Sequence, residues 1–126
     1  MNPAVYDAGA LAAADRNERS TWAEHRVRLE AGVIPSVPAP VVAQVSRSAR
    51  HAQLGRFLRG CDVVAFREVD AQATGRLLAR SRTTDIVDAA VVVLAVDRVA
   101  EIVTADRADI SHLLAAARAN LPIVDA

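Results

Sequence analysis

Short apolar runs alternate along the chain with longer stretches of helical periodicity. Ala4-Val5-Tyr6, closed by Asp7, predicts a first strand. Ala8 to Arg16 is alanine-rich and predicts a helix, weakly broken at Asn17. Thr21-Trp22-Ala23-Glu24 has capping-box spacing, which predicts a helix to about Ala31 with Gly32 as its stop. Val33 to Val37 predicts a short strand, at a sheet edge or ending early because Pro35 cannot donate to a ladder. A helix beginning near Pro40 is expected to reach Leu58, broken near Ser48, with Gly60 as its stop.

The second half repeats the alternation. Val63-Val64-Ala65-Phe66, within Asp62 to Arg67, predicts a buried strand, and Asp70 to Arg80 a helix. Asp85 to Arg98 predicts a helix apolar on almost every side, which belongs in the middle of a domain. Glu101 to Thr104 reads as a strand, Asp109 opens the last long helix, and Pro122-Ile123-Val124 is a final short strand. Alternation of this kind predicts an α/β fold, with a mostly parallel sheet and helices on both faces. No repeat, low-complexity tract or linker interrupts it, so one domain over residues 1–126 is expected.

Composition then narrows the chemistry. A chain of 126 residues can bury a real core, and 27 alanines against one Trp, one Tyr and two Phe make it a core of small aliphatic side chains. Lysine is absent, which excludes Schiff-base catalysis and the phosphate-binding loop that needs its Lys. Fifteen arginines balance fifteen acids, so the whole chain is not a polycation, although local patches remain open. Cys61 is alone, excluding an internal disulfide and a cysteine-based zinc site. Met1 to Leu11 has no basic stretch before its apolar residues, so no secretory signal is expected there. The longest apolar run, Ala89 to Val96, is far short of the roughly 20 residues that cross a bilayer. A cytoplasmic protein without membrane contact is the expectation.

The positions of the carboxylates carry the candidate chemistry. Asp7 follows the first strand directly, and Asp106 follows Ile102-Val103-Thr104 by two residues. In a parallel sheet, ligand sites form beyond the carboxyl ends of strands, so both acids arrive at one edge. Asp85 and Asp88 share a face on the first turn of the apolar helix, and Asp109 lies three residues beyond Asp106. Asp is also a favoured N-cap, which is the more ordinary reading of any one of Asp7, Asp85 and Asp109. Asp88 is different: it sits inside an apolar helix, where an unpaired carboxylate costs several kcal/mol and needs a partner or a cation. Oxygen ligands with no His or Cys nearby suit Mg²⁺ or Mn²⁺.

Four segments carry a family resemblance. They are Val5 to Leu11, Val37 to Val45, Thr84 to Ala89 and Val103 to Ile110. In this order and spacing, across essentially the whole chain, they resemble the PIN-domain ribonucleases, and more closely the VapC-type toxins of bacterial toxin–antitoxin pairs. The resemblance implies a PIN-like three-layer fold and an acidic pocket holding one or two divalent ions. It implies that Asp7, Asp88 and Asp106 are the catalytic acids and metal ligands, with Asp85 and Asp109 as auxiliary ligands. It places the family's second acid, a Glu, at Gln44, where the amide oxygen can bind Mg²⁺ but brings no charge. It also implies an RNA substrate, a cognate antitoxin of VapB type and a homodimer. Gln44 keeps a second reading open, a catalytically weakened PIN-fold module that binds RNA or an antitoxin without efficient cleavage. A phosphoacceptor receiver domain also uses Asp at strand ends, but it needs a Lys that this chain lacks.

The remaining charges offer a substrate path. Residues 31 to 61 contain no acid and carry Arg47, Arg50, Arg56 and Arg59, with Arg47 one turn from Gln44. A solvated helix paired with acids elsewhere and a phosphate-contacting strip are both open readings. Arg76, Arg80 and Arg82 run up to the Asp85 helix. Arg47, Arg50 and Arg82 are the candidate RNA contacts, because guanidinium forks grip phosphate bidentately. His25, His51 and His112 have no metal-ligand spacing and read as surface residues, and Cys61 reads as packed. Trp22 is expected to pack its helix on a neighbour or to belong to a partner surface. Leu11, Trp22, Val27 and Leu29 could form an apolar groove, but core packing suits most of them better.

Overall fold

The computed structural model describes residues 1–47 and 52–126. Along the chain run β1 (Ala4–Tyr6), α1 (Ala8–Asp15), α2 (Arg19–Glu30), β2 (Ser36–Pro38), α3 (Ala39–Val45) and α4 (Ala52–Leu58). They are followed by β3 (Asp62–Val64), α5 (Glu68–Ser81), α6 (Ile86–Arg98), β4 (Glu101–Thr104), α7 (Arg107–Ala116) and β5 (Ile123–Asp125). The described strands form one sheet in the order β3-β2-β1-β4-β5, parallel at every pairing. Helices flank the sheet, giving the α/β architecture expected from the alternation of elements.

Three details differ from the sequence reading. β2 lies inside the sheet, between β1 and β3, rather than at an edge. Pro35 precedes the strand, so its missing N–H removes no rung, and its carbonyl accepts from Asp62 N at 2.8 Å. β3 is the edge strand instead, it stops at Val64, and Asp62 and Val63 are exposed rather than buried. α2 starts at Arg19 with Glu18 as N-cap and no side-chain cap, so the Thr21–Glu24 spacing falls inside the helix. The expected break near Ser48 falls between α3 and α4, outside the described residues.

α6 is the central helix, as its apolar pattern required. Ala89, Val91, Val92 and Ala95 are fully buried, and the helix packs on α3, α5 and α7 and on β1, β2 and β4. Small side chains allow that close approach, which is where the alanine-rich composition is used. Leu11 belongs to the core, whereas Val27 and Leu29 are exposed. Trp22 ties α2 to α1 through a bond from its indole N–H to the Ala14 carbonyl at 3.0 Å. Among the described residues, no helix is long and apolar enough to cross a membrane.

His25 lies in the core rather than on the surface. Its ring stacks at 4.0 Å from Phe57, and Nδ1 lies 2.9 Å from the Tyr6 hydroxyl. Arg28 donates to that hydroxyl oxygen at 3.4 Å, so Tyr6 joins the imidazole to a buried cation. Burial, and then the Arg28 charge, hold the His25 pKa down at about 4. Between about pH 6.5 and 4 the unfolded chain therefore binds a proton that the folded chain refuses. Stability from this residue is complete above that window and is lost as pH falls through it. His25→Phe should remove this acid sensitivity. In melts at descending pH, the wild type should lose ground to the variant by about 2–3 kcal/mol. A pH-independent difference would contradict the assignment.

Candidate active site

β1 and β4 are neighbours, with Tyr6 opposite Val103, so the residues just beyond them meet. Asp7 N extends the ladder to the Val103 carbonyl at 3.1 Å. Its carboxylate is then held on both oxygens. Oδ1 accepts from Ala10 N at 2.9 Å, which caps α1, and Oδ2 accepts from the Thr104 hydroxyl. The Thr104 oxygen in turn accepts from Asp106 N at 2.8 Å. Thr104 thus joins the two strand-end acids, a role that the sequence reading did not assign to it. The only available signal was its place as the last residue of β4.

The apolar helix delivers the next two acids. Asp85 is the N-cap of α6, its Oδ1 accepting from Asp88 N at 3.0 Å. Asp88, one turn further in, is half-buried. Carboxylate oxygens of Asp88, Asp106 and Asp109 lie within 4.8 Å of one another. Asp106 is the N-cap of α7 but makes no side-chain cap bond, which frees its carboxylate for the cluster. Capping and site-building are therefore not alternatives here: Asp7 and Asp85 cap helices while standing beside the cluster.

The electrostatics record the crowding. Burial lifts the Asp88 pKa to about 7, reinforced by the charges of Asp85, Asp7, Asp106 and Asp109. Burial raises Asp7 as well, against the lowering effect of its Thr104 and backbone hydrogen bonds. A hydrogen bond that the protonated Asp109 carboxyl donates to Asp106, and then the Asp106 charge, raise Asp109. Five carboxylates thus act on one another at a single sheet edge. The donor set is entirely oxygen, and a carboxyl held at about 7 by burial and by its neighbours' charges is relieved by a divalent cation among them. The residues present fit Mg²⁺ or Mn²⁺.

The other candidates separate into two grooves. Arg82, in a left-handed conformation with φ 57° at the end of α5, lines one groove together with Asp85, Asp88, Asp109 and His112. Gln44 is exposed on α3 and lines another, with Ala8, Gly9, Asp15, Arg16 and Arg47. Arg47 lies beside it, its Nε donating to the Gln44 carbonyl at 3.0 Å. Arg50 lies outside the described residues. His112 is a second functional candidate that sequence reading missed. Its signal was the three-residue spacing from Asp109 on one helix face.

No family model and no curated protein sequence matches the chain. Its structure does match a solved one. The similar chain comes from the crystal structure of VapBC2 from Rickettsia felis bound to a DNA fragment from their promoter. The TM-score is 0.73 at 16% sequence identity, covering 98% of each chain. The fold is PIN-like. At this identity the likeness concerns the path of the chain, and the carboxylate cluster rests on this chain's own residues.

Proposed function

We propose that residues 1–126 form one PIN-like domain that acts as a Mg²⁺- or Mn²⁺-dependent endoribonuclease, the toxin of a toxin–antitoxin pair. The observation that carries the reading is the convergence of Asp88, Asp106 and Asp109 beside the strand-end Asp7, with the Asp88 carboxyl held up at about 7. Asp7, Asp88 and Asp106 would hold the ion, with Asp85 and Asp109 as further ligands or water acceptors. When bound, the metal supplies the charge that generates hydroxide from water and stabilises the leaving oxygen of a phosphodiester. The chain's own part is orientation. Thr104 and Ala10 N fix the two oxygens of Asp7, and Arg82 stands at the cluster's groove to meet phosphate. Arg47 and Arg50 would extend that contact along the strand. A VapB-like antitoxin as the restraining partner is supported by the likeness in fold to a chain of VapBC2, and a cytoplasmic homodimer completes the reading. The test is cleavage of RNA in Mn²⁺ and its loss in chelator, with calorimetric titration of Mn²⁺. Cleavage that persists in chelator, or no heat of binding, would refute it.

A second reading has its own observation. Gln44 is exposed and neutral at the position where the resemblance expects Glu, which favours a module that binds RNA or an antitoxin with weakened cleavage. Gln44→Glu separates the two. If position 44 reaches the acids from its neighbouring groove, a full charge there should tighten Mn²⁺ by about tenfold, roughly 1.4 kcal/mol, and raise cleavage. It should also lower stability in chelator, because one more like charge joins the acids. Equal affinities and equal melts would remove Gln44 from the site, and with it the reason for expecting weak activity.

A further inference from the structure

His112 sits one turn beyond Asp109 on α7 and lines the same groove as Arg82, Asp85, Asp88 and Asp109. Its Nε2 lies 2.8 Å from the backbone carbonyl of Ser81. A carbonyl oxygen only accepts, so Nε2 carries the ring proton. The support is itself held, since the Ser81 hydroxyl pairs with the Thr83 hydroxyl at 2.7 Å and with the Leu78 carbonyl. In the neutral ring, Nδ1 is then a pure acceptor, and it has no hydrogen-bond donor among the described residues. The groove of the carboxylates thus presents an orientated acceptor that their cluster does not include.

The geometry points to His112 as the contact by which this groove selects ribose over deoxyribose, accepting a hydrogen bond from a 2′-hydroxyl at Nδ1. The inference rests on the RNA-cleaving reading above. Phosphate oxygens offer Nδ1 nothing, because they too accept. Base edges carry donors that change from nucleotide to nucleotide. The donor present on every RNA nucleotide and absent from DNA is the 2′-hydroxyl. Three residues of α7, a rise of about 4.5 Å, separate His112 from Asp109, which is within a sugar's reach of a phosphate held at the carboxylates. His112 therefore acts on substrate choice and not on the metal.

The test uses one RNA oligonucleotide with a mapped cut. It is compared with versions that are 2′-deoxy at single nucleotides flanking the cut, and with the all-DNA strand, at about pH 8 where an ordinary histidine is neutral. For the wild type, one deoxy substitution should slow cleavage by about tenfold, the value of one hydrogen bond. His112→Ala should slow the RNA by the same factor and then be indifferent to that deoxy position. His112→Asn, whose side-chain oxygen can stand near Nδ1, should keep part of the discrimination. Affinities measured in the Asp88→Asn chain, which binds without cutting, should show the same pattern. If His112→Ala slows RNA and deoxy substrates equally, the residue only supports the groove and the inference is wrong. If the wild type cuts RNA and DNA alike, the inference fails while nuclease function stands. If it neither cuts nor binds any strand, the nuclease reading fails and takes this one with it.

Discussion

Asp88→Asn is expected to abolish metal-dependent RNA cleavage and at the same time to stabilise the metal-free chain. Asp88 is a ligand in the proposed site, and an amide at its place brings no charge to a divalent ion. Its loss should cost at least 100-fold in cleavage, the scale seen when a group stabilising transition-state charge is removed. The stability effect follows from the raised pKa. The folded-state value is about 7, above that of an ordinary Asp, so the unfolded chain releases this proton first. The metal-free wild type therefore loses stability as pH rises from about 4 to about 7, and stays penalised above that. Discounted for its partial exposure, the penalty is about 1–2 kcal/mol. Asn removes it. In chelator at about pH 8 the variant should melt a few degrees higher, and the gap should close toward about pH 4. Excess Mn²⁺ should reverse the order, because it stabilises only the chain that binds it. A variant that cleaves like its parent, or melts lower in chelator, would contradict the site.

Gly9→Ala should loosen the same site from outside it. Gly9 is the second residue of α1, and a Cβ there would stand 2.4 Å from the Ala105 Cβ and 3.1 Å from the Ala105 nitrogen. Neither atom is the end of a flexible side chain, so α1 and the β4–α7 connection must part. Asp7 and Asp106 flank that contact, one on each segment. Overpacking of this kind costs about 1–3 kcal/mol, more than alanine's helical preference returns. Mn²⁺ affinity should fall by about tenfold as the carboxylates separate. Gly75→Ala is the control. It lies within α5, no atom lies within 4 Å of the added Cβ, and its backbone is not left-handed. That change should be neutral or stabilise by up to about 1 kcal/mol. Matching melts and matching affinities for Gly9→Ala and wild type would show that the contact yields without cost.

Much of this was legible in the chain because periodicity and punctuation agreed. The Asp85–Arg98 pattern marked α6 as central, and Asp7 and Asp106 could be assigned to one edge once the sheet was read as parallel. What escaped depended on partners distant in sequence. Pro35 reads as a strand terminator, yet β2 lies inside the sheet because the strand starts after that proline. Val63-Val64 has the composition of a buried strand, but among the described residues nothing pairs beyond β3. Thr104 resembles any β-branched strand residue until Asp7 and the Asp106 amide arrive on either side. His25 and His112 look alike in sequence. One is enclosed by Tyr6 and Phe57, and the other is turned by a carbonyl across the groove.

The bond from Thr104 to Asp7 joins residues 97 positions apart, between the first strand and the fourth. On an emerging polypeptide, β1 must wait for every element between them before β4 can lie beside it. Long-range pairing of this kind forms late and slowly. Asp88, Asp106 and Asp109 also lie in the last third of the sequence. A translation product that stops before Asp106, however well its early helices form, therefore cannot assemble the carboxylate pocket. Under the proposed nuclease reading, the synthesis machinery would be shielded from the activity until the fourth strand is in place, and a restraining partner need recognise only the finished fold.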